Sequence, residues 1–134
     1  MDVGESQEIL QRAMTLRQQS EEIEKQLEFV NEQVRDLGQF SENLETLDKS
    51  DEGEIIANLG RGVHMKVSRD KKEKLFVEVG AGTLVRKTPK EALKIIKEQM
   101  NKFNEAKVQL TMQLQDHAGQ FQEMMKEVEK LKSE

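Results

Sequence analysis

Residues Asp51 to Thr88 read DEGEIIANLGRGVHMKVSRDKKEKLFVEVGAGTLVRKT. This stretch interrupts heptad patterning that governs the chain on both sides. In its first half Ile55, Ala57 and Leu59 alternate with polar or outward positions, and so do Val63, Met65 and Val67. Period-two alternation is the pattern of a β-strand with one apolar face. Gly60-Arg61-Gly62 lies between the two runs. As a three-residue loop it predicts a hairpin in which Leu59 faces Val63, Ala57 faces Met65 and Ile55 faces Val67. The arrangement recurs twenty residues later. Leu75, Val77 and Val79 precede Gly80-Ala81-Gly82, and Val85 follows. Val79 would face Thr83, Val77 would face Val85, and Phe76 and Leu84 would give the second face some burial. Glycine supplies the positive φ of such loops. A glycine-marked bulge in a longer bent strand is the alternative.

Two hairpins bury little by themselves, because stable sheets need three or more strands or a packing partner. The expectation is that further strands come from other chains. Oligomerisation would then run through Ile55, Ala57, Leu59, Val63, Met65, Val67, Leu75, Val77, Val79 and Val85. Ser68 to Lys74 is a polar linker. The two Gly-x-Gly triplets are poor phosphate loops, since neither opens a helix and each leads into a strand.

Upstream, apolar residues step by four and three. Ile9, Leu16, Ile23, Val30, Leu37 and Leu44 hold the d positions. Ala13, Ser20, Leu27, Val34, Ser41 and Asp48 hold the weaker a positions. The spacing predicts a coiled-coil helix over 9–47, about 58 Å long. Gly38 interrupts it at a cost of about 1 kcal/mol relative to alanine. Downstream, Thr88-Pro89-Lys90-Glu91 combines a cap, a first-turn proline and a capping-box glutamate. The second seam runs through a positions Leu93, Met100, Lys107, Leu114, Phe121 and Val128, and d positions Ile96, Phe103, Leu110, His117, Met124 and Leu131. A helix over 89–132 follows, about 66 Å long.

Two such helices leaving one insert can fold back on each other. Antiparallel packing sets a beside d, and the phases agree when paired numbers sum to 137. Leu44 then meets Leu93, Leu27 meets Leu110, Leu16 meets Phe121, and Ser20 falls opposite His117. A slip of one heptad is the alternative register. A polar layer that helps fix register explains His117 better than a ligand role. Lys107 can carry its charge out of the seam to water.

The chain has 134 residues and reads as one domain, 1–134. Charged residues make up 35%, aromatics 4%, and Trp, Tyr and Cys are absent. This suits a long charged helical protein, not a large globular core. The net charge of −5 is spread among interspersed Lys, Arg, Asp and Glu, which argues against a nucleic-acid surface. No apolar run is long enough to span a membrane, and no secretory h-region opens the chain. No nucleophile–base pair, metal cluster or cofactor motif is visible, so no enzyme and no cofactor is expected. A cytoplasmic location is the default. The fold class is α+β, predominantly α: a long antiparallel coiled-coil hairpin with two β-hairpins between its helices.

That element order resembles the alpha class of prefoldin subunits, which carry two hairpins. The residues behind the resemblance are Leu59-Gly60-x-Gly62-Val63, Val77-Glu78-Val79-Gly80-Ala81-Gly82 and Lys87-Thr88-Pro89-Lys90-Glu91-Ala92. The resemblance implies a heterohexamer of two alpha-class and four beta-class subunits, archaeal or eukaryotic, built on a β-barrel platform. It also implies coiled-coil tips that grasp unfolded chains without ATP and pass them to a group II chaperonin. Near the tips Leu10, Met14, Phe121, Met124, Met125, Val128 and Leu131 are the candidate client contacts. Methionine adapts to varied apolar partners. Phe121, Met124, Val128 and Leu131 also complete the seam, whereas Leu10 and Met125 flank it. A structural coiled-coil adaptor that binds one folded partner is the competing reading.

Overall fold

The structure, a computed structural model, describes residues 3–49, 53–70 and 73–133. The start of the insert at Asp51, and Lys71 and Lys72 of its linker, lie outside them. Six elements follow in order: α1 (Val3–Lys49), β1 (Glu54–Gly60), β2 (Val63–Ser68), β3 (Leu75–Gly80), β4 (Thr83–Lys87) and α2 (Pro89–Ser133). The two long helices with two hairpins between them are the expected architecture. α1 extends past both ends of the 9–47 span and runs unbroken through Gly38. Two structural units are distinguishable: Met1–Arg35 with Asn101–Glu134, and Asp36–Met100.

The first unit is a helix pair. Its packing centre is Ile9, Leu16 and Met124, with Ala13, Val128 and Leu131 against them. The Ser20 hydroxyl lies 3.1 Å from Nδ1 of His117, as the sum of 137 requires. Val30 is also buried. A two-helix seam has only one apolar stripe per helix to cover, so its core stays thin. Among the described residues the buried apolar side chains are few: Ile9, Leu16, Val30, Leu44, Ala92 and Met124, with Pro89 at the start of the last helix.

The second unit holds both hairpins and the helix ends that flank them. β1 pairs antiparallel with β2, and β3 with β4, as two separate two-stranded sheets. Ile55 faces Val67, Ala57 faces Met65, and Val77 faces Val85, as the alternation predicts. The turns differ from the expectation. Gly60 pairs with Val63 and Gly80 with Thr83, so Leu59 and Val79 are bulged out. The loops are therefore two residues long, with a bulge before each. Arg61 and Gly62 have φ of 51° and 80°, and Ala81 and Gly82 have 49° and 75°. Two successive positive φ angles define a type I′ turn, whose twist matches that of the flanking strands. A three-residue loop would have kept Leu59 in register but lost that match. The Asn58 side chain accepts a hydrogen bond from the Gly60 amide at 2.8 Å, and Glu78 accepts one from Gly82 at 3.1 Å. Both pin the backbone at the bulge and turn. At the other end of the first hairpin the Arg69 amide donates to the Gly53 carbonyl.

α2 begins where the capping box predicts. The Glu91 amide donates to the Thr88 hydroxyl at 3.1 Å, and the Thr88 amide donates to the Glu91 carboxylate at 3.3 Å. The hydrogen bond from the Thr88 backbone amide, and next to it the Thr88 side chain, hold the Glu91 carboxyl below its ordinary pKa, with Lys87 and Lys74 adding to the effect. Leu44 and Ala92 are buried in this unit. Glu45 and Lys97 approach to 4.0 Å with both side chains largely exposed. Both occupy e positions, the flank where antiparallel helices exchange charges. Such a pair adds little stability.

Candidate functional site

Heptad phase divides the helix pair of the first unit into two flanks. Positions a, e and b face one side of the seam, and d, g and c face the other. In an antiparallel pair the e rows of both helices share a flank, and so do the g rows.

The e flank carries exposed apolar residues near the end where the start of α1 meets the end of α2. Leu10 is 61% exposed, Met14 57% and Met125 49%. Leu10 and Met125 are e positions and Met14 is a b position, so all three lie on that side. Phe121, a seam residue, is still 40% exposed. The other seam candidates behave differently. Met124 is buried in the Ile9–Leu16 cluster, and Val128 and Leu131 pack against it half-buried. The candidates from sequence thus separate into an open flank and a packed seam. Val3, seven residues before Leu10 and in the same phase, is also widely exposed. Extending the heptad count by one repeat identifies it.

This open flank is chemically an adaptable apolar surface. Thioethers and a leucine side chain accept varied partners. Each such side chain contributes roughly 1.5–3 kcal/mol when fully covered. Several partial contacts give reversible holding.

In the second unit, the proposed assembly residues form a gradient along each hairpin. Ile55, Ala57, Val67, Leu75, Val77 and Val85 are half-buried. Leu59, Val63, Met65 and Val79, toward the turns, are exposed. The opposite faces are open as well. Ile56, Phe76 and Leu84 are exposed, so the burial expected for Phe76 and Leu84 is not provided by this chain. The Arg86 guanidinium sits 5.3 Å from the Phe76 ring centre, directly across the strand pair. That cation–π contact covers only part of the ring. A groove of about 770 Å³ runs among Phe40, Leu44, Leu75, Val79, Ala92 and Ile95. Two-stranded sheets with apolar residues open on both faces and unpaired edges are unsatisfied surfaces.

No group of His, Asp and Glu able to hold a metal occurs among the described residues. No described helix is long and apolar enough to cross a membrane. His117 sits in its polar layer, and His64 is exposed on β2 opposite Asn58.

Comparison with known proteins agrees with this architecture. The family model described as prefoldin subunit matches residues 16–134. The prefoldin subunit alpha of Archaeoglobus fulgidus is 28% identical over 127 residues, covering 92% of this chain and 91% of that protein. The prefoldin subunit alpha of Methanospirillum hungatei is 25% identical, covering 85% and 76%. Among solved structures, a cryo-EM structure of filamentous PFD from Methanocaldococcus jannaschii superposes with a TM-score of 0.72 at 19% identity, covering 87% of this chain and 98% of that one. With two long helices, two intervening hairpins and a family match over most of its length, the chain belongs to the prefoldin family and is similar to its alpha subunits.

Proposed function

We propose that the protein is the alpha-class subunit of a hetero-oligomeric chaperone that holds unfolded polypeptides at its coiled-coil ends without ATP. Family membership supports a chaperone-type role in general. The observation that carries the specific reading is the open apolar flank of Leu10, Met14 and Met125 beside a well-packed seam. A surface of this kind has affinity without shape specificity, which suits non-native clients better than one folded partner.

Assembly is assigned to the hairpins. Their turn-proximal apolar residues and unpaired edges call for strands from other subunits, beta-class chains in a two-alpha, four-beta hexamer. Transfer of the client to a group II chaperonin in the cytoplasm completes the reading. No catalytic step, cofactor or metal belongs to it.

The test uses the protein assembled with its partner subunits and several unrelated denatured proteins. Suppression of aggregation across all of them is expected. Activity toward none, together with tight binding of one folded protein, would establish the adaptor reading instead. In parallel, Val77→Asp with Val85→Asp should lower the assembled mass. An unchanged mass would place the oligomer interface elsewhere.

A further inference from the structure

The chain holds seven methionines and no Cys, Trp or Tyr. A two-electron oxidant such as a peroxide therefore meets thioethers as its principal targets in this protein. Exposure sorts those targets. Met14, Met65, Met112 and Met125 are exposed. Met100 is half-buried, and Met124, 7% exposed, is sealed in the Ile9–Leu16 cluster. Met1 lies outside the described residues.

Two of the exposed methionines belong to the open flank. Met14 follows Leu10 by four residues on α1, and Met125 follows Phe121 by four on α2. That spacing sets side chains next to each other on a helix. Met65 sits on the hairpin face assigned to assembly. Met112 is an f position of α2, about 20 Å along the helix from Met125. Met124 and Met125 are consecutive, yet one is closed in the seam and the other is open beside it. An oxidant thus discriminates between the residues that hold the coil and those offered to clients.

We propose that Met14 and Met125 are reversible oxidation sites, at which a peroxide switches off the client surface while the seam and the assembly persist. The proposal rests on the chaperone reading above and adds a regulation of that same surface. Hydrogen peroxide transfers one oxygen atom to the thioether sulfur. Its O–O bond breaks, an S=O bond forms, the sulfur gives up two electrons, and water leaves. A polar, chiral sulfoxide then stands where an adaptable apolar group stood. Its oxygen is bonded to water, and a client that covers it without offering a donor pays for the lost bonds. The flank therefore loses affinity. Both sulfurs lie outside the packed cluster, so the helix pair takes up neither a void nor a buried polar atom. Sulfoxide reductases, one for each epimer at sulfur, return the thioether.

The test uses the assembled protein, hydrogen peroxide and several denatured client proteins. Peptide mapping by mass spectrometry should find sulfoxide at Met14, Met112 and Met125 before Met100 and Met124. Affinity for clients should fall about fivefold, with native mass and helical circular dichroism unchanged. Treatment with both sulfoxide reductases should restore it. Met14→Leu combined with Met125→Leu should lose less than about twofold on oxidation, each protein being compared with its own untreated sample. Met112→Leu should lose as much as the parent. An equal loss in the double leucine variant, or protection by Met112→Leu, would overturn the proposal. A fall in native mass on oxidation would place the effect in the hairpins and overturn it as well. Equal holding before and after oxidation of Met14 and Met125 would remove the switch and leave the chaperone reading standing. Failure of the untreated protein to hold any client would remove that reading, and the switch with it.

Discussion

The Ser20 hydroxyl and the His117 ring meet at 3.1 Å across the seam, 97 residues apart in sequence. Ser20 also donates its hydrogen to the Leu16 carbonyl at 2.9 Å. The hydroxyl has one hydrogen, so Nδ1 of His117 supplies the hydrogen of the bond between the two side chains. A polar layer in an apolar seam favours the register in which both partners meet, at some cost in stability. A slip of one heptad would leave both groups facing apolar neighbours.

The same register sets Leu27 beside Leu110. Cysteines at these two positions, in a chain with no cysteine of its own, should form an intrachain disulfide on mild oxidation. Non-reducing gel mobility and peptide mapping read the outcome. Preferential crosslinking of Leu27→Cys to cysteines placed one heptad away from Leu110 would refute the register.

Gly38 and Gly119 lie within helices, and a Cβ at either would have no heavy atom within 4 Å. Gly38→Ala and Gly119→Ala should therefore each raise stability by about 0.5–1 kcal/mol, from helix propensity and a less flexible unfolded chain. Denaturant titration followed by circular dichroism measures this. A loss of stability at Gly38 would show that its backbone freedom is used.

Arg61 and Ala81 occupy left-handed conformations, which cost an ordinary L-residue roughly 1–2 kcal/mol. Asparagine is favoured at this position of a type I′ turn. Arg61→Asn and Ala81→Asn should each slow hydrogen exchange of their own hairpin's strand amides by about two- to fivefold, equivalent to 0.5–1 kcal/mol. Faster exchange would contradict the turn assignment.

The capping box predicts a pH dependence of definite sign. The folded state depresses the Glu91 pKa, mainly through the bond from the Thr88 amide. Its contribution to stability is thus present above the unfolded-state pKa and lost as pH falls through the folded one. Glu91→Gln should flatten that acid limb and leave the neutral-pH fold intact. An unaltered acid limb, measured by denaturation across acidic pH, would remove Glu91 from the account.

The heptads, the capping box and the period-two alternation made the fold legible, because each is a local pattern with one matching geometry. Even Ser20 opposite His117 followed from phase alone. The turns were less legible. Gly-x-Gly fits a three-residue loop and a two-residue turn with a bulge equally well, and strand twist decides between them. The exposure of Phe76 and Leu84 was hidden for another reason. An apolar face reads the same in sequence whether its cover comes from the same chain or another. Leu10 and Met125 were visible as apolar residues off the seam.

The account's central claim is that the open apolar flank holds clients while the hairpins hold the assembly. It is tested most directly by measuring aggregation suppression and native mass together for Leu10→Gln, Met14→Gln and Met125→Gln combined. These residues lie outside the seam, so the helix pair should keep its fold. The predicted result is a loss of affinity for unfolded clients of at least about tenfold, with an unchanged subunit count. Full suppression by an intact assembly carrying all three substitutions would contradict the claim.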